Sequence, residues 1–373
     1  KPARIQEGER EKLFERDLRN MSQPQHMARL LNWALADLMA EQENIILAGE
    51  DIGPKGGVYN VTSKLSEKFG QHRVINTLLD EQSILGLAIG LAHNGFLPIP
   101  EIQFLAYLHN AEDQLRGEAS TLSFFSKGQY TNPMVIRIAG LGYQRGFGGH
   151  FHNDNSFAVV RDIPGVILAC PSNGADAVEM LREAVRLARE EQRIVVFLEP
   201  IALYMTRDLH EEKDGLWTFG YRSPADAEPI GFGEIGQYGT GEDLCIVTYA
   251  NGTYLSRQAA KELEENYGVK LRILDLRWLS PLPEEAILKA TKPCRHILVV
   301  DETRMTGSLS EEIITLLSEK GGGKSRLRRL TAEDSFIPLG RAATATLPRK
   351  ETILEAAIDL LGLDKTKASL SVA

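Results

Sequence analysis

Short apolar runs alternate with amphipathic stretches along this chain, and that alternation limits its fold more than any other feature of the sequence. In the first half, strand-like runs occur at residues 45–48, 134–138, 166–170 and 194–198, and a helical pattern at 175–189 joins the last two. Apolar strands that alternate with helices form parallel sheets covered on both faces. The sequence therefore predicts an α/β fold.

The same alternation returns after an irregular stretch, 208–243, that is rich in Gly, Pro and acidic residues. Strands and helices are predicted in turn at 244–250, 254–267, 271–276, 283–290, 297–300 and 308–318. A chain of 373 residues is longer than one ordinary core requires, so two parallel-sheet domains are expected. The predicted division is a charged lead-in or linker at 1–21, a first domain at 22–210, an interdomain connection at 211–242 and a second domain at 243–373.

Charge and cysteine content argue against several classes of protein. The formal net charge is -9 at pH 7, and no long basic stripe is present to hold a nucleic acid or an anionic membrane. Cys170, Cys245 and Cys294 are scattered without a CxxC pair, which suits a reducing compartment and lacks metal-ligand spacing. No apolar run is long enough to span a bilayer. A cytoplasmic enzyme or assembly subunit is the expectation.

A predicted helix at 81–93 is nearly all apolar, so both of its faces are expected to be buried. Gly86 and Gly90 lie on one face and permit close approach of another helix, either within the domain or, as we favour, in another subunit. Glu81 begins this helix. It is either a helix-start acid favoured by the dipole, worth about 0.3–1 kcal/mol, or a desolvated carboxylate that hydrogen-bonds a cofactor ring. Composition alone favours the first alternative.

A glycine-rich segment, 140–155, ends in two histidines. It lacks the spacing of a dinucleotide-binding loop, and no helical pattern follows it. His150 and His152 have no third metal ligand at a suitable spacing nearby. We therefore interpret the segment as a glycine-rich loop that presents a histidine for acid–base chemistry. Phe104 and Tyr107 lie near polar residues and fit either core packing or stacking on a ring.

These stretches resemble one known family. From about residue 22 to residue 361 the chain is similar to the β subunit, or the β-like half of a fused chain, of the thiamine-diphosphate-dependent decarboxylating component of 2-oxo acid dehydrogenases of the pyruvate and branched-chain types. The matching stretches, in order, are Gly49-Glu50-Asp51, Gly56-Gly57-Val58-Tyr59, 81–90, Glu101-Ile102-Gln103-Phe104 with Tyr107, Pro171-Ser172, Phe197-Leu198-Glu199-Pro200, Asp275-Leu276-Arg277, Ser280-Pro281-Leu282, Asp301-Glu302 and Thr306-Gly307. The resemblance implies a pyrimidine-binding domain followed by a transketolase C-terminal-like domain.

The resemblance also implies roles for particular residues. Glu81 matches the family glutamate that hydrogen-bonds the aminopyrimidine ring of thiamine diphosphate, and Tyr107 stands where an aromatic residue stacks on that ring. Glu50 and Gln103 are implied to line the same pocket. His152 matches the histidine that serves proton transfer and reductive acylation of a lipoyl group.

Two departures from the family pattern affect these assignments. The family histidine is usually followed by Ser-Gln-Ser, whereas Asn153-Asp154-Asn155 follows here, so His150 stays a competitor for the catalytic role. No Gly-Asp-Gly segment is followed by an asparagine at the spacing of the magnesium-diphosphate motif. Mg²⁺ and the diphosphate are therefore expected on an α subunit or a fused α half, in an α2β2-type assembly. No metal ligands are predicted in this chain, although the family often holds a monovalent cation near the segment after Pro171.

The implied function is oxidative decarboxylation of a 2-oxo acid, with transfer of the acyl group to a lipoyl-bearing transacylase. Which 2-oxo acid is used stays open. The implied location is the cytoplasm, or the mitochondrial matrix in a eukaryote. Because the sequence begins with Lys1, we expect a processed or internal piece of a longer chain, and both a separate subunit and a fused one remain open. The alternatives are a transketolase-like transferase half, and a non-catalytic assembly subunit with the same fold.

Overall fold

The computed structural model describes residues 7–15, 17–143 and 149–364. The first part of the chain contains helices α1 (Glu7–Phe14), α2 (Leu18–Met21), α3 (Met27–Glu41), α4 (Leu65–Phe69), α5 (Glu81–His93), α6 (Ser120–Phe125), α7 (Ala158–Asp162), α8 (Gly174–Glu191) and α9 (Ile201–Tyr204). Its strands are β1 (Ile45–Gly49), β2 (Val74–Asn76), β3 (Leu97–Ile102), β4 (Met134–Gly140), β5 (Val166–Ala169) and β6 (Ile194–Pro200).

The second part begins with a long irregular stretch and then alternates strands with helices. Its strands are β7 (Gly236–Tyr238), β8 (Leu244–Thr248), β9 (Leu271–Asp275), β10 (Trp278–Ser280), β11 (His296–Arg304) and β12 (Arg326–Ala332). Its helices are α10 (Ala250–Tyr267), α11 (Glu284–Thr291), α12 (Leu309–Lys320) and α13 (Lys350–Leu361).

The described strands form two mainly parallel sheets, which confirms the predicted α/β fold class. The first sheet has the order β10-β5-β6-β4-β3-β1-β2, and the second has the order β12-β11-β8-β9-β7. Two edge strands, β10 on β5 and β7 on β9, run antiparallel to their neighbours. Strand β10 comes from the second part of the chain but extends the first sheet, so it joins the two parts through backbone hydrogen bonds.

Helix α8 and the two strands it packs against, β4 and β6, follow the local sequence patterns. Every residue of the neighbouring strands β4 and β6 is buried, as expected for strands covered on both faces. The side chain of Asn173 accepts the backbone N–H of Asp176 at 3.0 Å and so caps the start of α8. Asn173 is therefore the helix cap, and the preceding residue, Ser172, contacts the second sheet instead.

In this single chain one face of α5 is open, so the burial of that face against another subunit stays a prediction. Helix α5 packs against β3 through Ile84, Leu85 and Ala88, but its opposite face is open: Gly86 and Gly90 are exposed, and a Cβ atom added at either would meet nothing within 4 Å. The first sheet covers only one face of this helix, so close packing within the domain does not explain the two glycines. The charged lead-in contributes to the core despite its composition, because the Phe14 side chain is wholly inaccessible to solvent.

A buried acidic side chain links the two sheets. The Ser172 hydroxyl donates a hydrogen bond to Asp275 Oδ1 at 2.7 Å. The Arg277 guanidinium, two residues further along, pairs with Asp176 at 2.7 Å. Burial, followed by the nearby charge of Asp176, raises the pKa of Asp275 to about 7. The protonated form of this carboxyl is thus favoured by folding.

This raised pKa predicts how stability depends on pH. Between its ordinary pKa of 3.8 and about 7, Asp275 binds more protons in the folded than in the unfolded chain, so the free energy of unfolding falls as the pH rises through this interval. Asp275→Asn removes this titration, and we expect a smaller fall when denaturant unfolding is measured at several pH values. Glu212→Gln, at an exposed acid, should keep the wild-type slope. A wild-type slope in Asp275→Asn would contradict the assignment.

Candidate active site

The side chains predicted to form a site lie around the carboxyl ends of β1 and β3, at one edge of the first sheet. Open parallel sheets usually bind ligands at this edge. Glu50 and Gln103 follow β1 and β3 directly, and Glu81 is the first residue of α5. Tyr107 lies in a 3-10 helix, Leu105–Asn110, and His152 ends another, Gly149–His152.

Glu81 is buried, although it stands at the start of a helix. Its side chain is 3% exposed, and the Asn110 amide donates a hydrogen bond to Glu81 Oε2 at 3.1 Å. The cap of α5 is the preceding residue, Asp80, whose carboxylate accepts the backbone N–H of Ser83 at 3.2 Å. Because Asp80 caps the helix, the Glu81 carboxylate is available for another partner. No spacing in the sequence pointed to Asn110.

His152 sits against two aromatic side chains. The Tyr107 hydroxyl lies 3.0 Å from His152 Nε2, and the Phe104 and His152 ring centroids are 4.1 Å apart. Burial lowers the pKa of His152 below its ordinary value of 6.5. The imidazole is therefore mainly neutral near pH 7. An acid–base group that first accepts a proton must start in its neutral form.

Glu50 lies close enough to Glu81 and Tyr107 to interact electrostatically with both. Burial raises its pKa, and the charges of Asp51 and Glu81 raise it further. Burial also raises the pKa of Tyr107, and the charges of Glu50 and Glu81 add to that effect. Gln103 is at the margin of the cluster, where its amide donates to Asp51 Oδ2 at 3.3 Å. The structure therefore brings together Glu50, Glu81, Tyr107 and His152, and Gln103 adjoins them through Asp51.

The competing histidine has different surroundings. His150 is exposed, and its ring centroid lies 3.9 Å from that of Phe151, a side chain that is itself 55% exposed. Part of the predicted glycine-rich loop, 144–148, lies outside the described residues. Within the parts of the chain that the structure describes, no group of three or more His, Cys, Asp or Glu side chains is arranged to hold a metal ion.

Comparison with known proteins gives the family of the chain. Residues 23–206 match the family described as the transketolase pyrimidine-binding domain, and residues 233–353 match the transketolase C-terminal domain. The pyruvate dehydrogenase E1 component subunit beta of Bacillus subtilis is 30% identical over 342 residues, which cover 90% of this chain and 98% of that protein. The subunit of the same name from Staphylococcus aureus is 31% identical with the same coverage.

The chain belongs to the family of E1 β subunits of the 2-oxo acid dehydrogenases. This confirms the resemblance drawn from the sequence motifs. A solved structure described as a split gene transketolase, inactive beta4 tetramer, matches with a TM-score of 0.70 at 19% identity, covering 91% of this chain and all of that one. At that identity the match supports the fold alone. In the described residues, no helix has the length and apolar character needed to cross a membrane.

The ring contact between Phe104 and His152 generates a prediction about proton binding. Phe104→Ala would open one face of the imidazole to water, which solvates the charged form, so we expect the pKa of His152 to rise toward its ordinary value. An NMR pH titration of the histidine ring protons measures this change. Phe151→Ala, which removes the ring beside His150, is the matched control and should leave the His152 pKa unchanged. Equal shifts in both variants would refute a specific effect of Phe104.

Proposed function

We propose that this chain is the β half of an E1 enzyme that decarboxylates a 2-oxo acid, and that it holds the pyrimidine end of thiamine diphosphate. The observation that carries this proposal is the buried Glu81 carboxylate, which is not needed as a helix cap and lies beside Glu50 and Tyr107. A buried acceptor next to an aromatic ring fits a planar nitrogen heterocycle. Family membership supports the same assignment.

The chain's own residues suit one end of the cofactor better than the other. When bound, thiamine diphosphate supplies the electron sink for cleavage of the carbon–carbon bond. Glu81 would share a proton with a ring nitrogen of the pyrimidine in a hydrogen bond, and Tyr107 and Phe104 would border the ring. Glu50, Asp51 and Glu81 are acidic, so their charges disfavour a diphosphate beside them. We therefore assign the diphosphate and its Mg²⁺ to an α subunit or a fused α half.

The open face of α5 supports such a partner. Gly86, Leu87 and Gly90 are exposed along the helix that begins with Glu81, and Leu78 and Leu79 just before it are 87% and 67% exposed. Apolar side chains exposed together beside a polar site are typical of a protein interface. We propose that the α half covers this face in an α2β2-type assembly.

We also propose three further features of the chain: a domain division at 22–210 and 243–373, a cytoplasmic location, and a monovalent cation near the segment after Pro171.

His152 is the proposed acid–base group of this half. Its half-buried neutral imidazole, 3.0 Å from the Tyr107 hydroxyl, can accept a proton and return it. The ring of His150 is less suited, because it is exposed and lies against Phe151. We propose that His152 also serves the transfer of the acyl group to the lipoyl arm of a transacylase.

Glu81→Gln tests the cofactor assignment. The substitution keeps the size of the side chain but replaces the carboxylate acceptor, so we expect decarboxylation to fall by at least about a hundredfold. The assay is decarboxylation with an artificial electron acceptor by the chain reconstituted with its α half. Pyruvate, 2-oxoisovalerate, 2-oxoisocaproate and 2-oxobutyrate are each supplied, which also identifies the preferred substrate.

Glu284→Gln is the matched control, because Glu284 is likewise the first residue of a helix but is exposed. It should leave the activity unchanged. Wild-type activity in Glu81→Gln would end the assignment of Glu81. Absence of decarboxylation by the wild-type assembly with all four acids would end the proposed function.

Substitution of each histidine in turn decides between them. We expect His152→Ala to reduce decarboxylation with an artificial acceptor, and to reduce acyl transfer to a lipoyl domain at least as much, because both steps need a proton at that position. His150→Ala should change both rates little. The reverse pattern would show that His150 is the acid–base group.

A further inference from the structure

Glu302 lies near the end of β11 in the second sheet. It hydrogen-bonds residues that come before and after His152 in the chain, and we call residues 149–153 the histidine segment. Its side chain is 4% exposed. The Tyr143 hydroxyl donates to Glu302 Oε2, as does the Asn251 amide at 2.5 Å. The backbone N–H of Asn251 donates to Glu302 Oε1 at 3.1 Å. Tyr143 comes before the histidine segment in the chain, so Glu302 holds a residue on the N-terminal side of that segment.

The C-terminal side of the same segment contacts the same strand. The Asn155 amide donates to the backbone carbonyl of Glu302 at 2.6 Å. Arg304, two residues further along β11, pairs with Asp154 at 3.6 Å and hydrogen-bonds the Ser156 hydroxyl. His152 lies two residues before Asp154, so the strand holds the chain close to the imidazole.

The two sides of the segment are also joined to each other. The backbone N–H of Leu141 donates to the carbonyl of Asp154 at 3.2 Å. The Asn251 amide donates to the Leu141 carbonyl at 3.3 Å as well as to Glu302. We call Tyr143, Asn155, Asn251 and Glu302 the Glu302 network. It includes residues before and after His152 in the chain, while Tyr107 and Phe104 contact the imidazole itself.

We propose that Glu302 is a positioning residue for His152, through which the second sheet sets the place of the imidazole against Tyr107. Its catalytic consequence rests on the proposed function, whereas its structural consequence does not. Rates of proton transfer depend steeply on geometry, and a misplacement of about 1 Å can cost about a hundredfold. A network that holds both sides of a short segment meets this requirement.

A glutamate suits this position because three hydrogen-bond donors reach its carboxylate oxygens. Burial raises the pKa of Glu302 to about 7, and the hydrogen bonds from Tyr143 and Asn251 oppose that rise. The pKa of the Tyr143 hydroxyl is raised well above 10 by burial and by Glu302, so this hydroxyl stays protonated and donates. Alanine at 302 would leave buried donors without an acceptor, which loosens the segment.

The alternative is that Glu302 only stabilises the contact between the sheets. Asp275 provides the comparison, because it is also buried in the second sheet and also bonds a residue of the first part of the chain, Ser172. Its hydrogen bonds within the described residues do not reach the histidine segment. A positioning role predicts that Glu302→Ala affects His152 and that Asp275→Ala does not.

The first experiment measures the histidine in the full chain without any cofactor. Diethyl pyrocarbonate labels neutral imidazoles that solvent can reach, and mass spectrometry gives the rate at each histidine. We expect Glu302→Ala to raise the rate at half-buried His152 severalfold, with exposed His72 as an internal reference whose rate does not change. An unchanged His152 rate, or an equal rise in Asp275→Ala, would overturn the proposal.

The second experiment is a double-mutant cycle in the assembly reconstituted with the α half. We expect Glu302→Ala to lower kcat about tenfold to a hundredfold with little change in KM, and to lower it less than about twofold when His152 is already alanine. Losses that multiply would overturn the positioning role but not the proposed function. If the wild-type assembly decarboxylates no 2-oxo acid, the proposed function fails while the labelling result stands.

Tyr143→Phe keeps the test valid if Glu302→Ala does not fold. It removes a single hydroxyl from the Glu302 network, so thermal unfolding should confirm a folded chain. We expect the same increase in labelling of His152, of smaller size. A folded Tyr143→Phe variant with unchanged labelling and a kcat loss that multiplies with that of His152→Ala would argue against positioning.

Discussion

The Asp80 cap at the start of α5 is the interaction on which the site depends. A helix N-terminus needs acceptors for its free N–H groups, and it favours negative charge nearby. Asp80 supplies the acceptor for Ser83, which frees the Glu81 carboxylate one residue later. Because Glu81 is buried, its oxygens are directed to partners in a site with limited access to water, and the Asn110 amide already contacts one of them. Of these two adjacent acids, Asp80 caps the helix, and Glu81 keeps a buried carboxylate for the cofactor contact that we propose.

The sequence predicted the strands that are continuous apolar runs, and it missed others that are short or partly exposed. Strands β4 and β6 were recognisable because they are continuous apolar runs. Strand β12 (Arg326–Ala332) was not, because its partly exposed position allows three arginines within seven residues. Strand β10 has only three residues, and its place depends on β5, more than a hundred residues earlier. The pattern of apolar residues in α5 also could not show which face of the helix the sheet covers and which face is left open at Gly86 and Gly90.

In the candidate site, too, the sequence pattern identified the residues but not the contacts between residues that lie far apart in the chain. From residue types alone, Glu81 could not be told from an ordinary helix-start acid, and only the family resemblance favoured a cofactor role. The proposed cofactor role is supported by the Asp80 cap and by the burial of Glu81, and both require coordinates. His152 was favoured over His150 by the order of motifs, but the difference in burial comes from Phe104, nearly fifty residues earlier in the chain.

The second sheet contributes to the site without lining it. Its strand β10 extends the first sheet, its Asp275 accepts a hydrogen bond from Ser172, and its Glu302 bonds both sides of the histidine segment. Each contact buries polar groups, which is favourable only when every donor finds an acceptor in a definite geometry. Such contacts restrict the relative position of the two sheets more than apolar packing of equal area would. The proposed acid–base histidine is followed directly in the chain by residues that the second sheet holds, so that sheet can set the position of its imidazole.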